Sequence, residues 1–105
     1  MSEDWRWVDV GSADEWRDGE GRALRIGARR LVVWRLGERF YALKEACPHA
    51  GVSLQRGALA EGAVACPAHG WRFRLSDGAC VRGDPQRPAV SYPVRVRAGR
   101  IEIGV

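Results

Sequence analysis

The sequence predicts an all-β domain built from short antiparallel strands. Apolar and polar residues alternate in Trp71-Arg72-Phe73-Arg74-Leu75 and in Val94-Arg95-Val96-Arg97, the period of a half-buried strand. Two-residue turn signals punctuate the chain, among them Gly27-Ala28, Gly37-Glu38, Asp77-Gly78 and Ala98-Gly99. No repeat, linker or low-complexity tract interrupts the pattern. At 105 residues the chain reads as one domain, residues 1–105. A chain of that size buries roughly two-thirds of its unfolded surface, enough for a modest core.

Taken in order, Trp5 to Val10 is the first expected strand. Ser12 to Trp16 reads as a single helical turn, with Ser12 as cap and Glu15 three residues on. Ala23 to Ile26 and Arg29 to Leu36 form a hairpin through Gly27-Ala28. Gly37-Glu38 turns the chain again into Arg39 to Lys44. A hairpin-like excursion runs through Leu54 to Val64. Beyond it Trp71, Phe73 and Leu75 point one way, and Arg72 and Arg74 the other. A two-residue turn at Asp77-Gly78 would set Leu75 opposite Cys80, making Cys80 a buried core thiol. A turn at Ala98-Gly99 would set Arg95 opposite Glu102 and Val96 against Ile101. Trp5, Trp7, Trp16 and Trp34 read as core or cover residues.

Charge narrows the function. The net charge of +4 is almost entirely arginine, since Lys44 is the only lysine. The arginines, for example Arg29, Arg56, Arg72 and Arg95, are scattered without a dense block, so a nucleic-acid partner is not expected. No apolar run approaches a membrane span, and the N-terminus has no signal-peptide pattern. A cytoplasmic protein is expected, without disulfides. No Gly-rich dinucleotide fingerprint follows a strand.

The chemistry is concentrated in two short arms, Cys47-Pro48-His49 and Cys66-Pro67-Ala68-His69, with sixteen residues between His49 and Cys66. Both histidines of the chain lie there, and two of its three cysteines. Each arm offers one thiolate and one imidazole, so two loops supply four metal ligands. Zinc fingers put two cysteines in one arm and two histidines in the other. Mixed arms suit a two-iron cluster in which one iron takes both thiolates and the other both imidazoles. A structural zinc could use the same four residues, which would make the chain an interaction module. A disulfide oxidoreductase would need a second cysteine where Ala50 stands. A Cys/His nucleophile pair would leave the other arm unexplained.

With their neighbours, the arms read Cys47-Pro48-His49-Ala50-Gly51 and Cys66-Pro67-Ala68-His69-Gly70-Trp71. This resembles the Rieske [2Fe–2S] family, and the resemblance extends from Trp7-Val8-Asp9-Val10 to Tyr92-Pro93-Val94. It implies a β-sandwich base carrying a small cluster-binding subdomain, with ligand loops at about residues 46–71. It also implies one [2Fe–2S] cluster held by Cys47, His49, Cys66 and His69, the histidine edge lying near solvent. Pro48 and Pro67 would shape the loops, and Gly51 and Gly70 would let backbone N–H groups approach the sulfides. Trp71 is expected to pack in the core on the face of Phe73 and Leu75.

The function implied is a ferredoxin carrying single electrons from a reductase to a terminal oxygenase. An alternative is the small subunit of an NAD(P)H-dependent nitrite reductase, docked on its large subunit. The chain is not expected to be a complete enzyme. Rieske oxygenases need further histidines for a mononuclear iron site, and none remains. High-potential relatives carry a disulfide at the positions of Val52 and Ala68, and usually a serine at the position of Trp71. With those groups missing, protein-film voltammetry should give a midpoint near or below about −100 mV; a midpoint well above zero would contradict this.

Overall fold

The fold turns on one strand that is buried on both faces. In the computed structural model, which describes residues 5–105, Leu31, Val32, Val33 and Trp34 are all at most 1% exposed. Leu31 and Val33 face one core, with Trp16, Ile26, Phe40, Ala42, Ile101 and Ile103. Val32 and Trp34 face a second core, with Leu43, Leu54, Val64, Phe73 and Leu75. The period of two in a strand sends successive side chains to opposite faces. An unbroken apolar run is therefore what a sheet covered on both sides requires.

Three antiparallel sheets arise around that strand. The central one contains β2 (Gly21–Ile26), β3 (Arg29–Leu36), β4 (Arg39–Lys44) and β9 (Ser91–Tyr92), in that order. On one side lies a three-stranded sheet, β1 (Trp7–Ser12), β11 (Arg100–Gly104) and β10 (Val94–Arg97). On the other lies the third sheet, β5 (Leu59–Ala60), β6 (Ala63–Ala65), β7 (Arg72–Arg74) and β8 (Cys80–Arg82). The third sheet carries one of the two arms and packs over the other.

Most hairpins follow the expected registers. Ile26 pairs with Arg29 across Gly27-Ala28, and Leu36 with Arg39 across Gly37-Glu38. The excursion between the arms is a hairpin in which Ala60 pairs with Ala63. Arg95 pairs with Glu102 and Val96 with Ile101. The Arg95 Nε–Glu102 Oε1 ion pair is 2.6 Å long; partly exposed, it contributes at most about 1 kcal/mol. Arg95 also lies over the Trp7 ring, 4.0 Å from its centroid, so Trp7 is a cover residue. Trp16 and Trp34 are core, and Trp5 is 36% exposed.

Three expectations are corrected. The first strand is Trp7–Ser12 instead of Trp5–Val10, although Arg6 still exchanges backbone hydrogen bonds with Val105. Residues Ala13–Glu15 form one 3₁₀ turn, but the Ser12 hydroxyl donates to the Asp14 carboxylate and caps no backbone N–H. The hairpin at Asp77-Gly78 is longer than two residues, and Cys80 pairs with Phe73, not Leu75. Asp77 causes the change. Its carboxylate accepts the Ala79 N–H at 3.0 Å and pairs with Arg74 at 2.6 Å, while the Gly78 N–H reaches the Arg74 carbonyl at 2.7 Å. Leu75 leaves the ladder; its N–H donates to the Gly62 carbonyl, and its side chain is 1% exposed. Cys80 remains a free buried thiol, as expected.

Glycines 27 and 78 both need positive φ, at +61° and +79°, but only Gly78 is crowded: a Cβ there would lie 2.2 Å from the Ala89 carbonyl oxygen. Gly27→Ala should therefore cost about 1 kcal/mol and Gly78→Ala about 3 kcal/mol or more. Equal shifts of the two variants in urea unfolding would contradict the close approach.

Candidate metal centre

Both arms are six-residue hairpin ends, Cys47 to Val52 and Cys66 to Trp71, built on one hydrogen-bond plan. Cys47 N–H donates to the Val52 carbonyl at 2.8 Å, and Gly51 N–H to the Cys47 carbonyl at 2.7 Å. In the second loop Cys66 N–H donates to the Trp71 carbonyl at 2.6 Å, and Gly70 N–H to the Cys66 carbonyl at 2.9 Å. Gly51 and Gly70 have φ of +72° and +75°, a conformation that only glycine adopts without strain. Each loop is closed by a strand contact: the Ala46–Ser53 bridge for the first, and the Ala65–Arg72 pair for the second.

Two consequences follow. The N–H groups of Gly51 and Gly70 themselves close the turns on the cysteine carbonyls, while the N–H groups of Ala50 and His49 face the Cys47 sulfur. The different spacings, C-x-H and C-x₂-H, are also not two different loops. One loop places its histidine at the third position of a shared turn, the other at the fourth.

The four candidate side chains come together in an ordered way. Cys47 and Cys66 are 1% and 2% exposed, at the roof of the second core, whereas His49 and His69 are exposed. The two imidazoles meet edge to face, with centroids 4.9 Å apart and planes at 71°. Burial pushes the Cys47 thiol up, the Ala50 and His49 N–H groups favour its thiolate, and the neighbouring Cys66 opposes it. Among the described residues, no three His, Cys, Asp or Glu side chains are grouped around a single ion position. An inner thiol pair and an outer imidazole pair match the division of ligands in a two-iron cluster, so the donor set fits that group.

A model of the Rieske [2Fe–2S] domain matches residues 6–93. The chain belongs to the Rieske [2Fe–2S] domain family. Its cofactor is accordingly one [2Fe–2S] cluster. The Rieske chain is 35% identical over 104 residues to the ferredoxin component of the alkene monooxygenase system of Xanthobacter autotrophicus, covering 97% of this chain and 84% of that protein. It matches a chain in the complex of oxygenase and ferredoxin of carbazole 1,9a-dioxygenase with a TM-score of 0.85 and 31% identity, covering 93% of this chain and 92% of that one. The fold is also shared, at a TM-score of 0.90 but 24% identity, with a Mycobacterium tuberculosis protein assigned as an NADH-dependent nitrite reductase small subunit, over 98% of this chain and 97% of that one. No helix among the described residues of this Rieske chain is long and apolar enough to cross a membrane.

The role of Trp71 was not apparent from the sequence. The alternation Trp71-Phe73-Leu75 places it correctly against the second core, half buried. Its indole also stacks on the His49 ring, with centroids 4.1 Å apart and planes 10° apart. Such a stack contributes about 0.5–1.5 kcal/mol beyond the area it buries. The contact crosses between loops, and no sequence periodicity reports on it. Cys80 takes no part in the site: its Sγ lies 3.3 Å from the Arg82 carbonyl, and burial pushes the thiol up.

Proposed function

We propose that this chain is a Rieske-type ferredoxin that passes single electrons from a reductase to a terminal oxygenase. In this reading Cys47 and Cys66 hold one iron, and His49 and His69 hold the other. Residues 1–105 act as a single Rieske domain with cluster-binding loops at about 46–71. The observation that carries the reading is the division of donors, thiols inward and imidazoles outward, in a family whose members hold a [2Fe–2S] cluster. When bound, the cluster supplies a one-electron couple. The buried cysteines would anchor it on the apolar second core, and the exposed histidines would form the edge through which a partner exchanges the electron.

The chain is a carrier and not a complete enzyme. Both of its histidines belong to this centre, which leaves none for a mononuclear oxygenase iron. The partners proposed are proteins, neither nucleic acid nor membrane, and the location proposed is cytoplasmic. The two relatives named above with more than 30% identity are a ferredoxin component of a monooxygenase system and a chain from a dioxygenase–ferredoxin complex. They favour the oxygenase reading over the nitrite reductase one, for which the likeness concerns fold alone. Copurification from the native host separates the two, since a nitrite reductase subunit would arrive with its large subunit.

EPR of the dithionite-reduced protein tests the ligand set. A rhombic signal with an average g below that of all-cysteine two-iron clusters is expected, with iron and sulfide in equal amounts. His49→Ala should abolish the signal and Cys80→Ser should keep it. A signal lost in the Cys80 variant would break the assignment, and a colourless protein with one zinc would replace it with a structural metal site.

A further inference from the structure

We propose that Trp71 is a positioning residue of the centre: reaching from the second ligand loop, its indole fixes the plane of the His49 imidazole in the first and brackets the two loops together. The proposal rests on His49 being a ligand. It goes beyond that reading by assigning work to a residue that binds nothing itself.

The stack is close and nearly parallel, at 4.1 Å and 10°. His49 needs such a support. It lies exposed in a six-residue loop, and among the described residues no hydrogen bond holds its ring. A ligand bound through one ring nitrogen keeps freedom about that bond unless a second contact fixes its plane; other metal centres use hydrogen-bonding partners for this purpose. Here a flat apolar face performs that task. His69 meets His49 edge-on at 71°, so a fixed His49 plane also presents a defined surface to the second imidazole.

Trp71 is itself held. A Cβ added to Gly83 would fall 2.4 Å from its Cδ2 and 2.8 Å from its Cε2. The indole thus lies directly against the Gly83 backbone, with no room for any larger residue there. Its other contacts are with the second core.

Comparison of the two loops isolates the feature. They share the same hydrogen-bond plan, and Val52 occupies in the first the position that Trp71 occupies in the second. Val52 is 37% exposed and stacks on nothing, whereas Trp71 is half buried against a histidine of the opposite loop. Val52 and Ala68, which stand where a disulfide would join the loops in high-potential relatives, line one open cavity of about 430 Å³ and hold no covalent link. The indole–imidazole stack is then a contact across the two loops at the level of the ligands.

Core packing and plane-fixing predict different things. If Trp71 only fills space, Trp71→Leu and Trp71→Phe should behave alike. If it fixes the ring, phenylalanine should preserve the effect and leucine should not. The experiment is EPR with HYSCORE of the reduced, cluster-loaded protein, reading the nitrogen couplings of the two histidine ligands, with voltammetry on the same samples. Wild-type protein showing the mixed-ligand signal first establishes the centre; its absence would defeat the ligand reading and this proposal with it, whereas the variants below test the proposal alone. With the signal present, Trp71→Phe should keep the line shape and both couplings. Trp71→Leu should broaden the signal, spread one nitrogen coupling and raise the midpoint, because solvent then reaches the more negative reduced state, or should fail to retain the cluster. Any outcome in which Phe and Leu are alike, whether both native, both altered or both unable to load, overturns the proposal.

Discussion

The structure depends on bringing two chain segments, sixteen residues apart, to one point with their sulfurs inward and their imidazoles outward. A metal-bound sulfur is shielded in a core, whereas a histidine ligand at a redox edge has to reach a partner. Both conditions are met by seating two short turns on the roof of an apolar core. Cys47 and Cys66 belong to that core as fully as Leu54 or Val64 does, at no more than 2% exposure. The rest of each turn is then free to be polar and exposed. Metal sites that form between chain segments contribute folding energy when the ligands converge, and here the convergence point is also where the third sheet meets the central one.

That placement explains why β3 must be buried on both sides. The three-stranded sheet covers Leu31 and Val33 and gives the molecule its base. The opposite face, Val32 and Trp34, is the floor on which the ligand-bearing sheet sits. A polar residue at position 32 or 34 would disturb the roof that holds both cysteines, far from either arm in sequence. Trp34 has a further constraint, since its ring leaves no space for a side chain at Gly21, where a Cβ would lie 2.6 Å away. Base and centre are therefore one packing problem, joined by a single strand.

Much of this was legible in the sequence because it is local. Two-residue turns fix their own register, so the pairings of Ile26 with Arg29, Leu36 with Arg39 and Arg95 with Glu102 could be read directly. The four candidate side chains that the structure brings together could be named because residues of two rare types sat at a narrow spacing. The failures have physical causes. Asp77-Gly78 looks like a tight hairpin, but the Asp77 side chain competes for the Ala79 N–H and for Arg74, which lengthens the turn and shifts Cys80 from Leu75 to Phe73. The pairing of β1 with β11 and of β4 with β9 joins segments far apart in sequence, and no local signal encodes it. The equivalence of the loops was present in the sequence, in the equal Cys-to-Gly separations of Cys47–Gly51 and Cys66–Gly70. The unequal cysteine-to-histidine spacings concealed it.

The same geometry decides which chemistry the cysteines can do. A reactive thiol is partly exposed and sits where its thiolate is favoured. Cys47 has neither property: it is sealed in the core, and burial pushes its thiol up, with Cys66 beside it opposing ionisation further. The N–H groups of Ala50 and His49 act in the opposite direction and stabilise negative charge on that sulfur without overcoming burial. Such a sulfur is a poor nucleophile and a good metal ligand, because a bound cation supplies the compensation that the core denies and releases the proton as it binds. Two buried thiols side by side, each with a histidine on its outer flank, make little sense as two catalytic pairs. They make sense as one centre assembled across two loops, with its sulfur side insulated and its imidazole side open to a partner.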